Sequence, residues 1–212
     1  TMKRKKTSFV GERPIFSGSP TIVPGGFNLD RTKQNFSAGD IIPAGTLAIF
    51  DEQTRLVQIV KTAKVKAIDA DDTKIVTLVT SDYYQPVFAV GDKVLVSVTG
   101  TYAAAPSITK IDKSDNEYKI TLSVAISGLA VDNILIEVVK DSSNNAAVIG
   151  SANALTIEEI TVREYETAVD VTDDTLNWAL YERRVLPIPS SQKDTSGRYL
   201  KVNPHVKLSN SY

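Results

Sequence analysis

The sequence predicts a mainly β protein, built as a small barrel or a sandwich. In residues 62–67, Thr and Lys alternate with Ala and Val, which is the period-two pattern of a strand with one buried face. The acidic turn at 69–72 leads into a second apolar run at 74–80, so the two runs predict a hairpin. A similar pair flanks residues 113–116. Many short strands separated by turns favour a barrel or sandwich over alternating strands and helices.

Turn-forming residues divide the chain into three parts. Residues 1–36 contain Pro14, Pro20 and Pro24 with isolated apolar residues between them, so this segment cannot build a core of its own. We predict that it is an extended N-terminal arm. Residues 37–190 form the β-rich domain, with a candidate subdivision in the polar loop near 141–152. Residues 191–212 form a polar, irregular C-terminal tail.

The apolar side chains of the predicted arm need a surface to cover them. Either a partner protein supplies that surface, so that the arm orders on binding, or the arm packs on its own domain. Both alternatives are open from the sequence. In the first alternative the contacts to the partner are made by Phe9, Val10, Ile15, Phe16, Ile22, Val23 and Phe27.

Composition argues against several partners. Lys and Arg number 24 against 25 Asp and Glu, so no net charge draws the chain to nucleic acid or to an anionic membrane. The basic run 3–6 is short and has no aromatic residues for base stacking, and we interpret it as a solvated terminus. No apolar run approaches the roughly 20 residues that span a bilayer. The basic start lacks the apolar stretch of a signal peptide, so we expect synthesis in the cytoplasm, followed by use there or by release through lysis.

The sequence predicts no catalytic residue, no cofactor and no metal site. The chain has no cysteine and a single histidine, His205, in the polar tail, and catalysis by histidine needs oriented partners. The acidic residues of 69–72 lack the glycine and terminal glutamate of a calcium loop, so we interpret them as a turn. Four glutamates could supply the paired carboxylates of a glycoside hydrolase, although no aromatic cluster accompanies them: Glu158, Glu159, Glu164 and Glu166.

A local cluster of charge follows an aromatic residue near the end of the β-rich domain. It consists of Tyr181, Arg183 and Arg184, with Glu182 between them. Arginine and tyrosine are enriched at protein interfaces, so we predict a subunit interface at these residues. The alternative is the exposed end of a surface strand.

Two stretches of the sequence resemble a known family. The first is Ser37–Leu47, which reads SAGDIIPAGTL, and the second combines Asn153–Thr156 (NALT) with Leu180–Pro189 (LYERRVLPIP). In this order they are similar to the head decoration proteins and related head-fibre proteins of tailed phages, in the form found in phages and prophages of Bacteroides-like bacteria. The resemblance covers roughly residues 37–190.

The resemblance implies a β-tulip or small barrel that binds the outer capsid surface of a phage head. It implies two partners, the major capsid protein and further copies of the chain in a homotrimer. It also implies a virion location, a role in stabilising the capsid lattice rather than an enzymatic one, and an N-terminal arm that reaches onto capsid subunits. Such an arm could extend the edge of a sheet.

Two other functions are compatible with the sequence. A carbohydrate- or receptor-binding β-module of a fibre or adhesin would take a host-surface glycan as its partner. A hydrolase would use the four glutamates named above. The capsid and glycan hypotheses differ at the N-terminus, because deletion of residues 1–30 should abolish capsid binding and leave glycan binding intact.

Overall fold

The computed structural model describes residues 14–24, 26–114, 117–173 and 178–210. The fold is mainly β, with 37% of residues in strands and no helix of seven or more residues. Sixteen strands lie in the described ranges, and most are short. They are β1 Phe27–Leu29, β2 Ile41–Ile42, β3 Leu47–Asp51, β4 Leu56–Ile59, β5 Thr62–Ile68, β6 Ile75–Leu78, β7 Lys93–Leu95, β8 Ile108–Lys113, β9 Tyr118–Leu122, β10 Ile134–Lys140, β11 Ala146–Ala147, β12 Ala154–Leu155, β13 Ile160–Thr161, β14 Ala168–Val169, β15 Ala179–Tyr181 and β16 Lys207–Ser209.

The strands form two larger sheets and two small ones. One sheet has the order β12-β3-β4-β1-β14, and the other has the order β11-β10-β5-β6-β9-β8, with β7 also paired to β10. Strands β13 and β2 pair with each other, as do β15 and β16. The larger sheets curl into half-barrels.

The prediction of a closed barrel is wrong, while the prediction of a mainly β fold is confirmed. Closure requires the two end strands of one sheet to pair. In the described residues, β8 and β11 end the larger sheet without pairing to each other, and β11 has only two residues. The predicted hairpins are present as β5–β6 and β8–β9.

The predicted N-terminal arm packs on its own domain from Pro14 onward, which is the second of the two alternatives. Phe16, Val23 and Phe27 are buried in the core of the chain itself. The Phe16 ring meets Trp178 edge-on at 5.3 Å between centroids. The expectation that these three side chains cover a partner is therefore corrected, because they are already desolvated by their own chain. Ile15 is half-buried and Ile22 is exposed; Phe9 and Val10 lie outside the described residues.

The C-terminal tail also contributes to the core, which corrects the expectation of an irregular polar segment. Leu200, Val206 and Leu208 are buried, and β16 pairs in parallel with β15. These apolar residues lie in two three-residue alternating pieces, 200–202 and 206–208, which Asn203 and Pro204 separate. Pieces this short do not establish a strand period from which burial could be predicted. Strands on the two sides of 141–152 pair as well, since β12 joins β3.

The sequence segments that carry the family resemblance pack against each other. The Gly45 N–H donates to the Thr156 carbonyl at 2.7 Å, and the Thr46 N–H donates to the Thr156 hydroxyl at 3.0 Å. The Thr46 and Thr156 hydroxyls both donate to the Pro43 carbonyl. Val185, from the third segment, packs so close to Gly45 that its Cγ1 is the atom nearest to where a Cβ of residue 45 would lie. The three segments therefore form one structural unit.

Substitution of Gly45 by alanine is expected to lower the free energy of unfolding by about 3 kcal/mol, from overpacking and backbone strain together. Gly45 has φ +75°, and a Cβ there would lie 2.4 Å from Val185 Cγ1. Gly39→Ala is the matched control, because Gly39 has φ +91° and nothing within 4 Å of a Cβ. Urea denaturation of the two variants checks this prediction, and equal losses would contradict it.

Candidate docking surface and a buried charged cluster

Residues Pro14–Ser17, here called the N-terminal strap, lie along strand β15. The Tyr181 N–H donates to the Ile15 carbonyl at 2.8 Å, and the Ser17 N–H donates to the Ala179 carbonyl at 2.8 Å. The Ser17 hydroxyl accepts a bond from the Ala179 N–H at 2.7 Å. The strap thus adds a strand-like segment to the β15–β16 pair through main-chain bonds.

Arg184 holds the beginning of this strap. Its guanidinium donates to the Pro14 carbonyl at 2.5 Å and lies 4.5 Å from the centre of the Tyr181 ring. Two of the three predicted subunit-interface residues, Tyr181 and Arg184, therefore contact their own chain. The third, Arg183, is exposed. Pro14, the first described residue of the predicted arm, therefore lies beside two residues of the predicted interface.

Tyr165 is an exposed aromatic residue in a loop that is hydrogen-bonded to Arg31. Its exposed fraction is 84%. The Arg31 guanidinium donates to the carbonyls of Arg163 at 3.1 Å, Glu164 at 3.0 Å and Phe36 at 2.9 Å. The two bonds to Arg163 and Glu164 fix the loop to Arg31, and the bond to Phe36 holds the guanidinium in place on the body of the protein. A tyrosine presented by a fixed loop loses little entropy when it is covered, which suits it to anchor a partner.

Tyr165 is not among the functional residues predicted from the sequence. The only signal for it is an aromatic residue flanked by Glu164 and Glu166, which is a weak one because charged neighbours are common on exposed loops. The clamping residue Arg31 lies more than a hundred positions away along the chain. Its contribution could not be predicted from the local sequence.

The candidate catalytic and metal residues occupy ordinary positions. All four glutamates named above are exposed. Asp69 accepts bonds from the N–H groups of Asp71 and Asp72, and these bonds hold its pKa below the usual value, as expected for a residue that closes a turn. His205 is half-buried, and its Nδ1 has no hydrogen-bond partner in the described part of the chain.

The described ranges contain neither a candidate metal site nor a candidate membrane-spanning helix. No group of three or more His, Cys, Asp or Glu residues there is placed to hold a metal ion. No helix within those ranges has the length and apolar character needed to cross a membrane.

A charged cluster lies in the interior, where the two larger sheets meet. Lys61 joins β4 to β5, Asp92 precedes β7 and Glu137 belongs to β10. All three side chains are buried. Lys61 Nζ lies 2.7 Å from Asp92 Oδ2 and 3.5 Å from Glu137 Oε1. Burial of ionised groups is costly unless each is paired and hydrogen-bonded. The cluster therefore needs hydrogen-bond partners from the surrounding residues.

The surrounding residues provide those partners. Lys61 Nζ donates to the Asn35 carbonyl at 2.5 Å and lies 4.3 Å from the centre of the Phe36 ring. Asp92 Oδ1 accepts a bond from Asn35 Nδ2 at 3.2 Å, and Asp92 Oδ2 accepts one from the Ala89 N–H at 2.8 Å. The Gln34 side-chain amide donates to Glu137 Oε2.

The environment of the cluster changes the pKa of Glu137. Burial raises its pKa to about 7, although the positive charge of Lys61 opposes the shift. The nearby Asp92 carboxylate adds to the rise. Glu137 is therefore a buried carboxyl group that exchanges a proton near neutral pH.

The sequence does not reveal this cluster. Lys61 stands next to an apparently continuous alternating pattern, and Asp92 looks like an ordinary turn residue after Gly91. Glu137 is the one charged residue inside the apolar run of β10, which is the only local signal.

Comparisons with models of protein families, with curated proteins and with solved structures found no match for this chain. Function is therefore inferred from the residues and their geometry.

Proposed function

We propose that this chain is a structural virion protein that binds the outer surface of a tailed-phage head and stabilises or decorates the lattice of the major capsid protein. Support comes from the resemblance of Ser37–Leu47, Asn153–Thr156 and Leu180–Pro189 to head decoration and head-fibre proteins. These segments pack together as one unit around Gly45, as a shared fold would require. In this proposal the curled sheets correspond to the tulip-like domain of those proteins.

The observation that carries the proposal is that Tyr165 is exposed on a loop whose position is fixed by hydrogen bonds. Two hydrogen bonds from Arg31 hold its loop, and the ring itself is exposed to solvent. Buried tyrosine anchors at the centre of interfaces contribute a large share of binding energy. A tyrosine covered by a capsid subunit would gain contact area without first having to order its loop.

A second contact is proposed at the surface where the N-terminal strap begins. Residues 1–13 precede Pro14 in the sequence and lie outside the described residues; they include Phe9 and Val10. We assign these two apolar residues to the capsid contact in place of the buried Phe16, Val23 and Phe27. In a homotrimer each weak contact would occur three times, and multivalent attachment raises the overall affinity by orders of magnitude without new types of contact.

The test is co-sedimentation of two variants with phage heads. Tyr165→Ala is expected to weaken binding about tenfold or more, the effect of losing an interface anchor. Deletion of residues 1–13 is expected to weaken it further. Val131→Ala is the control, since Val131 is 55% exposed on a different loop. Wild-type affinity in both test variants would contradict the proposed surface.

A further inference from the structure

The buried charged cluster places a nucleophile, an acyl carbon and a proton carrier together. Lys61 supplies a primary amine, Asp92 supplies a carboxyl carbon and Glu137 supplies a second carboxyl group, all inside the protein. We infer that Lys61 and Asp92 become joined by an intramolecular amide bond between Nζ and Cγ, formed by the folded chain itself with Glu137 carrying the proton. This inference does not depend on the proposed function.

The distance between the reacting groups favours this reaction. Lys61 Nζ lies 2.7 Å from Asp92 Oδ2, which places it within about 3.5 Å of the Cγ carbon, the separation expected of a near-attack arrangement. Both side chains are fully buried and hydrogen-bonded, so they cannot move apart into solvent. Because the two reactants are held in contact, their effective concentration is far above any that free reactants reach in water.

The hydrogen bonds to Asp92 favour attack at its carboxyl carbon. Asn35 Nδ2 donates to Oδ1 and the Ala89 N–H donates to Oδ2. These donors withdraw electron density from the carboxyl group, and they stabilise the negative charge that develops on oxygen as the amine adds. They belong to the folded structure, so they need no rearrangement when the reaction occurs.

Glu137 is placed to move the proton. Its Oε1 lies 3.5 Å from Lys61 Nζ, and its side chain also interacts with Asp92. Because burial raises the pKa of Glu137 to about 7, both of its protonation states are accessible near neutral pH. A general acid–base group is most effective when its pKa is close to the working pH.

The reaction balances without any other reagent. Glu137 accepts a proton from the Lys61 ammonium, and the free amine then attacks Asp92 Cγ to form the new C–N bond. Glu137 returns that proton to the departing Asp92 oxygen, and the Lys61 nitrogen gives up a second proton to the same oxygen as it becomes an amide N–H. The C–O bond then breaks and one molecule of water leaves. Nothing is oxidised or reduced, and Glu137 ends in the protonation state in which it began.

The interior of the protein provides the driving force. The reactants are a buried ammonium and a buried carboxylate, whose desolvation is costly, and the product is a neutral amide. An open cleft of about 480 Å³ adjoins the cluster and is lined in part by Asn35, Phe36 and Ala89. The released water can leave through this cleft.

The decisive measurement is the intact mass of the purified wild-type protein. The expected result is a mass lower by one water molecule than that of the expressed sequence. Tryptic digestion should give a branched peptide in which residues 56–64 are joined to residues 75–93, because trypsin does not cleave after a modified Lys61. A wild-type chain that keeps its full mass after prolonged incubation at neutral pH would overturn the inference.

Three variants make the assignment specific. Lys61→Met should keep the full mass, and a loss of water there would contradict the inference, since it would place the reaction at other residues. Glu137→Gln should react at least about a hundredfold more slowly, a typical loss when a general acid–base group is removed; an unchanged rate would overturn its assigned role. Lys64→Met should lose water like the wild type, because Lys64 pairs with Asp132 on the surface.

Discussion

Replacing Lys61 with alanine is expected to lower the free energy of unfolding at neutral pH by about 3–5 kcal/mol or more, the cost of breaking a buried ion pair from one side. The substitution leaves Asp92 buried without its cation, and it leaves Glu137 without its nearest positive charge. Alanine also removes the proposed amide, which adds to the loss. Chemical denaturation followed by fluorescence of the single Trp178 measures the effect.

The matched control for this prediction is Lys64→Ala. Lys64 lies in the same strand region and pairs with Asp132 at 2.8 Å, but both side chains are exposed. Exposed pairs contribute about 0–1 kcal/mol, so the control should be close to wild type. Similar losses in the two variants would contradict the assigned role of the cluster.

Glu137→Gln is expected to remove a pH dependence of stability between about 4.5 and 7. In the folded chain the pKa of Glu137 is raised to about 7, against an ordinary value of 4.5. Within this window the unfolded chain releases the proton and the folded chain retains it, so wild-type stability falls as the pH rises. The penalty is complete above the folded pKa and amounts to about 3 kcal/mol. Glutamine does not titrate, so the variant lacks this fall.

The measurement is the difference in unfolding free energy between wild type and Glu137→Gln across this pH range. The prediction concerns how this difference in unfolding free energy changes with pH. Its absolute size is not used, because the proposed amide would shift the stability of the wild type at every pH. Burial, the largest cause of the raised pKa, is present with or without that amide. Asp69 and the other carboxyl groups with lowered pKa act in more acidic solution and are common to both proteins. Parallel pH profiles would show that Glu137 does not titrate in this window.

The local parts of the fold could be predicted from the sequence, because local patterns determine them. The alternation in β5, the acidic turn and the apolar run of β6 lie within twenty residues, and turn chemistry and strand period agree. Pairings between distant segments could not be predicted. Strand β1 lies between β4 and β14, and nothing in its three residues indicates either partner.

The same limit explains the errors at the two ends of the chain. Phe16, Val23 and Leu200 each belong to a short apolar pair between breakers, which is too short for a period to mark them as core residues. Their burial depends on surfaces that other segments create, such as Trp178 for Phe16. The buried cluster is a further example, because Lys61, Asp92 and Glu137 come from three separate segments. A charged residue inside an apolar strand, as at Glu137, is the one sign of it that a sequence can carry.

Sedimentation of the wild-type chain with phage heads tests the central claim most directly. Tailed-phage heads, both before and after expansion, are the appropriate probe. Attachment to the capsid lattice predicts that the chain pellets with heads in a saturable amount and stays in the supernatant without them. A chain that remains in the supernatant as a monomer with heads of both kinds would contradict a role on the capsid surface.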